Sequence, residues 1–274
     1  MALTQVLALV GAGLAGGFLG GLIGVGGGVI FTPVLFFYFQ RLGVAPEALA
    51  PLTIGSSLFC TLVVAVASAY FQHRRNAVRP RVALGAGLSS AAAVYLTTRF
   101  VTTQPWYDAR VFQIVFSLIL LVVVVRMVRP RRVVSNEGSE RRAGGPVLAG
   151  VGAAAGAVAS AAGVGGGVVL VPAYHGFFRM PVAVAVGTSS ATIAVIALAG
   201  VLSYAATGRG APVPETALGY VDVGRAALLS APALLSARFG VRLAHRIDTR
   251  ALRLTFAAVA CFVAARLILG ALGG

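Results

Sequence analysis

Gly24-Val-Gly-Gly-Gly-Val-Ile-Phe-Thr-Pro33 returns in the second half of the chain as Gly163-Val-Gly-Gly-Gly-Val-Val-Leu-Val-Pro172. Each copy lies within otherwise unbroken apolar sequence, where glycine costs a helix about 1 kcal/mol per residue relative to alanine. Such clusters interrupt a helix and leave unshielded N–H groups at the start of the next one. In a membrane protein, glycine- and proline-interrupted segments at matching places in two halves point to a substrate site built from broken helices.

Composition supports the membrane setting independently. The 274 residues are 58% hydrophobic and 11% charged, with a mean hydropathy of +0.93. Many apolar runs approach the roughly 20 residues that cross a bilayer core. The net charge of +15 does not indicate a nucleic-acid partner, because the 22 basic residues are all arginine and most sit between apolar runs. That is the positive-inside pattern, and no aromatic-studded basic groove accompanies it. Cys60 and Cys261 lie in apolar runs without metal or redox spacing and are expected to be small packing residues. No cofactor is implied. Met1–Val10 lacks a basic leader and reads as part of a retained first helix.

Eight spans are expected, at about 4–24, 50–71, 82–101, 110–128, 146–164, 183–206, 220–238 and 251–270. Segments 27–40 and 166–178 follow the glycine clusters and are either short crossings or re-entrant half-helices. The loops at 72–81, 126–142 and 238–250 are rich in arginine and are assigned to the cytoplasmic side. Counting both short segments as crossings places all three there, with five crossings per half and both termini outside. The basic 72–81 connection then corresponds to the poorly charged 207–219, and the poor 102–109 to the basic 238–250. The fold class expected is therefore all-α: a polytopic integral membrane protein of two homologous halves. Its eight transmembrane helices and two short glycine-broken segments favour a 5+5 inverted repeat over a four-plus-four parallel one. The halves are 1–128 and 146–274, joined by a solvated Arg-rich linker at 129–145.

The candidate substrate site takes its backbone donors from Gly24, Gly26, Gly27 and Gly28 and from Gly163, Gly165, Gly166 and Gly167. A helix N-terminus carries about half a positive charge and suits an anion. Pro33 and Pro172 fall too deep for a first-turn position and are expected to kink or break the short helices. A second matched pair follows, Thr53-Ile-Gly55-Ser56-Ser57 and Val186-Gly187-Thr188-Ser189-Ser190. Gly55, Ser56, Ser57, Gly187, Thr188 and Ser189 are expected to line the same site, their hydroxyls donating to an oxyanion. A lone hydroxyl in a membrane helix more often bonds its own i−4 carbonyl.

The remaining polar residues read as structural. Gly11–Gly16 matches GxGxxG but has no strand before it and no acid before Glu47, so it is a small-residue face of the first helix. Asp222 and Arg225, three apart, are expected to pair with each other rather than serve transport. His175 is structural, Arg266 snorkels, and Asp108 and Arg110 belong to an interface belt with Trp106 and Tyr107. No mid-span carboxylate pair suggests a proton relay, and no catalytic constellation suggests an enzyme.

The two GxGGGxxxxP segments, Ala185-Val-Gly-Thr-Ser189 and Gly240-Val-Arg-Leu-Ala-His-Arg-Ile247 followed by an apolar run together resemble the TauE/SafE sulfite exporter family, also called the toluenesulfonate uptake permease type. The resemblance covers almost the whole chain. It implies a multi-pass transporter of the cell inner membrane, without bound cofactor, that moves sulfite, organosulfonates or related small anions. The first-half counterpart of AVGTS is altered here to Thr-Ile-Gly-Ser-Ser and its following loop is unusually Arg-rich, so the exact cargo does not carry over. The partners expected are a small anionic substrate and the lipid bilayer; homo-oligomerisation is left open. The competing readings are a carrier of the same build with an unrelated cargo and a membrane scaffold that transports nothing.

Overall fold

The computed structural model describes residues 3–24, 26–128, 144–244 and 250–272. Ten α-helices appear among them: α1 Leu3–Ile23, α2 Gly28–Arg41, α3 Pro46–His73, α4 Pro80–Thr97, α5 Ala109–Val128, α6 Gly145–Ala162, α7 Gly167–Pro172, α8 Val182–Thr207, α9 Val223–Ala244 and α10 Arg250–Leu272. Wide π-type turns, Thr98–Thr102 and Ala173–Phe177, continue α4 and α7. Helix thus occupies each apolar run read from the sequence, including both segments after the glycines. Five of the described helices are long and apolar enough to cross a membrane, with shorter apolar helices beside them. The linker expected at 129–145 lies outside the described residues except for Gly144 and Gly145, which open α6; of the basic connection expected at 238–250, residues 238–244 are the end of α9, Arg250 opens α10, and 245–249 lie outside the described residues.

Two local expectations need correction. The span placed at 220–238 begins later and ends later, because a two-residue hairpin, β1 Ala217–Leu218 against β2 Val221–Asp222, occupies its start. Gly219, at φ 57°, permits that tight turn. Pro33 does not break α2, which runs for 14 residues through it. Proline deletes only the bond to the i−4 carbonyl, and four residues back from Pro33 is still the first turn, so flanking packing holds the helix. At Pro172, by contrast, α-helix passes into the π-type turn.

Small residues dictate the helix pairing. Gly13, Gly17 and Gly21 lie directly on Leu229, Ala233 and Ala237, so α1 and α9 run parallel with backbones in contact. Gly152 and Gly156 lie on Ala86 and Ser90 in the same way, so α6 and α4 also run parallel. Thus the first helix of each sequence half packs against the fourth helix of the other. Helix α3 packs on α8, and α5 on α10. Gly16 faces Phe31 and Gly20 faces Gly27, so α2 folds back along α1 from the glycine turn. A stack of Phe36 on Phe112, 5.3 Å between ring centroids, ties α2 to α5.

Candidate functional site

The two glycine motifs are a pair of matching turns. Gly24, Gly26 and Gly27 have φ of 72°, 82° and 79°, and Gly163, Gly165 and Gly166 have 71°, 77° and 78°. Three left-handed residues within four positions reverse the chain within one turn, a path that side-chain-bearing residues resist. Gly27 and Gly166 then sit immediately before α2 and α7. All the described glycines of both turns are buried. The amides of Gly26, Gly27 and Gly28, and those of Gly165, Gly166 and Gly167, bond no acceptor among the described residues.

The structure brings the turns together. A Cβ on Gly28 would strike the Gly163 carbonyl and lie 2.8 Å from Val164 Cα. Each turn is clasped by a serine from the other half: Ser57 Oγ donates to Gly163 O at 3.1 Å, and Ser189 Oγ donates to Gly24 O at 3.1 Å. Thr32 Oγ1 pairs with Ser57 Oγ at 2.7 Å. The preceding hydroxyls match as well, since Ser56 Oγ accepts from Asp222 N at 2.9 Å and Thr188 Oγ1 accepts from Arg79 N at 3.0 Å. Gly55 admits the Tyr220 carbonyl, and Gly187 admits that of Ala77. Ser57 and Ser189, expected to face a ligand, therefore hold the opposite turn in this conformation, while Ser56 and Thr188 anchor the entries to α9 and α4. Pro33 is buried in α2 and Pro172 closes α7.

The carbonyl end of α6 points at the second turn and would repel an anion. Two tyrosines cover it: Tyr204 Oη donates to Ser160 O at 2.6 Å and Tyr107 Oη to Ala161 O at 2.8 Å. Thr102 Oγ1 completes the group at 2.5 Å from Tyr204 Oη. Tyr107 is only 3% exposed and leaves the expected interface belt to Trp106, which is 57% exposed. Burial pushes its phenol above the ordinary tyrosine range, so it remains a donor. Asp108 caps α5 by accepting from Val111 N at 2.9 Å.

Sequence reasoning passed over Thr61. Its hydroxyl is fully buried, has no hydrogen-bond partner among the described residues, and lies 3.0 Å from where a Cβ on Gly28 would stand. A threonine one helical turn beyond Ser57 was the available signal. Across Gly26, the Thr61 methyl and Ile193 of α8 close on the first turn, while Ser189 of the same α8 bonds Gly24 O. Elsewhere, His175 Nδ1 lies 2.9 Å from Met180 O in a structural role, and Cys60 is buried. Cys261 is exposed on α10 and so does not pack as expected. Among the described residues, no cluster of His, Cys, Asp and Glu could hold a metal ion.

Comparison with known proteins points to membrane transporters. A "Probable membrane transporter protein" of Methanocaldococcus jannaschii is 24% identical over 251 residues, covering 92% of this chain and 91% of its own. A similarly named protein of Haemophilus influenzae is 24% identical over 269 residues, covering 97% of this chain and 99% of its own. YunE of Bacillus subtilis, also named as a probable membrane transporter protein, is 28% identical over 215 residues, 73% of this chain and 78% of its own. No solved structure matches. The family model described as sulfite exporter TauE/SafE matches residues 9–267, and the chain belongs to that family of multi-pass membrane transporters.

Proposed function

We propose that the chain carries small sulfur oxyanions or organosulfonates across the cell inner membrane by alternating access, with the paired glycine turns at its centre. The observation that carries this reading is the reciprocal clasp of Ser57 on Gly163 and Ser189 on Gly24, around turns with matching left-handed glycines. A two-fold exchange of this kind is what two repeats of opposite orientation produce, with α1–α5 and α6–α10 as the repeats and 129–145 as their cytoplasmic linker. The register of α1 on α9 supports re-entrant hairpins. Gly21 lies at Ala237, and α9 continues to Ala244, about 10 Å further at 1.5 Å per residue. The first turn then lies within the bilayer, and α2 returns toward the side from which α1 entered.

Free glycine amides and the unpaired Thr61 hydroxyl suit an anion, which they can hold without a buried counter-charge. Gly28 rests on Gly163 here, so the anion enters as the turns part and the halves rock. An inside-negative potential of about 100 mV contributes about 2.3 kcal/mol to expulsion of a monovalent anion, roughly a 50-fold gradient. Export can therefore proceed without a coupled ion.

The test is sulfite and sulfonate flux in proteoliposomes for wild type, Gly27→Leu and Gly166→Leu. Flux should be lost in both variants; normal flux in folded variants removes the glycine turns from the mechanism. The names of the relatives specify no cargo, which favours keeping a second reading, the same machinery working on another small anion or metabolite. A flux panel that includes phosphate, sulfate and carboxylates separates the two.

A further inference from the structure

The two Ser/Thr motifs sit in matching frames that carry unlike side chains. A Cβ on Gly55 would strike Tyr220 O and lie 2.9 Å from Tyr204 Cβ, while one on Gly187 would strike Ala77 O and lie 3.1 Å from Gln72 Cβ. The backbone bonds agree, since Tyr220 N donates to Tyr204 O at 3.1 Å and Ala77 N to Gln72 O at 3.0 Å. Tyr204 of α8 and Gln72 of α3 are therefore equivalent positions. They stand at opposite ends of the α3–α8 contact, because Gly55 and Gln72 are 17 residues apart on α3, about 25 Å. Both serine clasps lie between them. The connections that follow differ too: five residues lead from Gln72 to Ala77, and 16 from Tyr204 to Tyr220. The longer one folds back on the end of α8, where Gly219 lies on Ala205 and Gly208 on Gly219 and Tyr220. It is fastened by Asp222, which pairs with Arg225 as their spacing suggests and accepts from Thr216 Oγ1 at 3.0 Å.

Tyr204 is fully buried, and its one hydroxyl proton goes to Ser160 O, three residues before the Gly163 carbonyl that Ser57 holds. Thr102 Oγ1 must therefore be the donor in its bond to Tyr204 Oη. The resulting chain, Thr102 O–H to Tyr204 O–H to Ser160 C=O, joins the π-type turn after α4, α8 and α6, and each bond polarises the next. The Tyr204 Cβ rests at Gly55 of α3 while its hydroxyl reaches the end of α6. The ring thus spans from α3 to α6, between the Ser57–Gly163 clasp and the face that carries the 208–219 connection. Glutamine, at the matched position, is shorter and has no ring.

Building on the transport reading above, we propose that Tyr204 is the gate on this face of the pathway, with Thr102 holding its phenol on Ser160 O and the 208–219 connection covering it. Cargo passes between the glycine turns and this face only when the Tyr204 hydroxyl leaves Ser160 O and the ring swings aside. Tyr107, bonded to the next carbonyl, Ala161 O, is a positioning residue that keeps the α6 end in place as the ring moves. The exit beside Gln72 opens without this step, so two matched frames open to their two faces at unequal cost.

The experiment measures opening in the full chain with the exposed Cys261 replaced by serine and Ser160→Cys as reporter, a change that keeps the backbone carbonyl. The protein is placed in phosphatidylcholine vesicles sorted by orientation and treated from one face at a time with a membrane-impermeant, anionic thiosulfonate reagent. The same chain without the reporter gives any reaction at the buried Cys60. Tyr204→Phe and Thr102→Val remove a hydroxyl and leave the volume nearly unchanged. Each should speed labelling about 10-fold from the face that carries the 208–219 connection, by raising the open fraction, with no rise from the opposite face. Ala162→Cys serves as a second reporter. Equal rates with and without the hydroxyls overturn the proposal, as does a rise of the same size from both faces, which marks a loosened cap on α6 instead of a gate. Labelling requires no cargo. Absence of sulfite and sulfonate flux in the wild type therefore overturns the transport reading alone, and the rates decide the gate separately.

Discussion

At single residues, the site is a set of contrasts that mutation can separate. Ser57→Ala and Ser189→Ala each leave a buried glycine carbonyl without its clasp and should cost about 1 kcal/mol apiece. The two bonds share no atom, so the double variant should lose close to the sum, read as thermal midpoints in detergent. Thr61→Val should move stability the other way, because it replaces an unpaired buried hydroxyl with a methyl of similar shape; a gain of about 1 kcal/mol with reduced anion flux is expected. A stabilised variant with undiminished flux would show that Thr61 does not touch the cargo. Gly165→Ala should destabilise by about 1 kcal/mol or more because its φ is 77°, while Gly150→Ala, with open space inside α6, should be neutral or stabilising.

Among the elements, small-residue stripes decide which helices meet. Gly17 stands on Ala233 and Gly156 on Ser90, with no space for a side chain at either contact. Leucine at either position must separate α1 from α9 or α6 from α4, and overpacking of this kind costs at least about 1–3 kcal/mol. Both variants should therefore lose monodispersity in gel filtration, whereas Gly11→Leu, which meets nothing within 4 Å, should not. The Gly11–Gly16 pattern already marked a small-residue face on the first helix, but its partner could not be named from the chain. Which of two small faces meets α9 and which meets α2 depends on rotation about the helix axis, and each residue turns that direction by about 100°.

Over the whole molecule, the two hairpins and the exchange of partners between halves predict a sidedness. Reporters fused after Arg209 and Arg246 should lie on opposite faces of the membrane, with Arg246 cytoplasmic. Agreement of the two reporters would remove the inverted arrangement. The arginine pattern and the packing pattern bear on this from independent directions. One arises from charges in the connections, and the other from α1 on α9 matching α6 on α4.

What the sequence determined by itself was local: where apolar runs are long enough for helix, where glycine clusters interrupt it, and where arginine gathers. Those properties belong to stretches of a few to twenty residues and need no knowledge of neighbours. The tertiary structure alone decided that Ser57 and Ser189 turn to the opposite half's carbonyls, that Tyr107 and Tyr204 cover the end of α6, and that Tyr38 meets Arg225. Each joins residues far apart in the chain. Such contacts depend on helix rotation and register, which packing across the whole bundle sets.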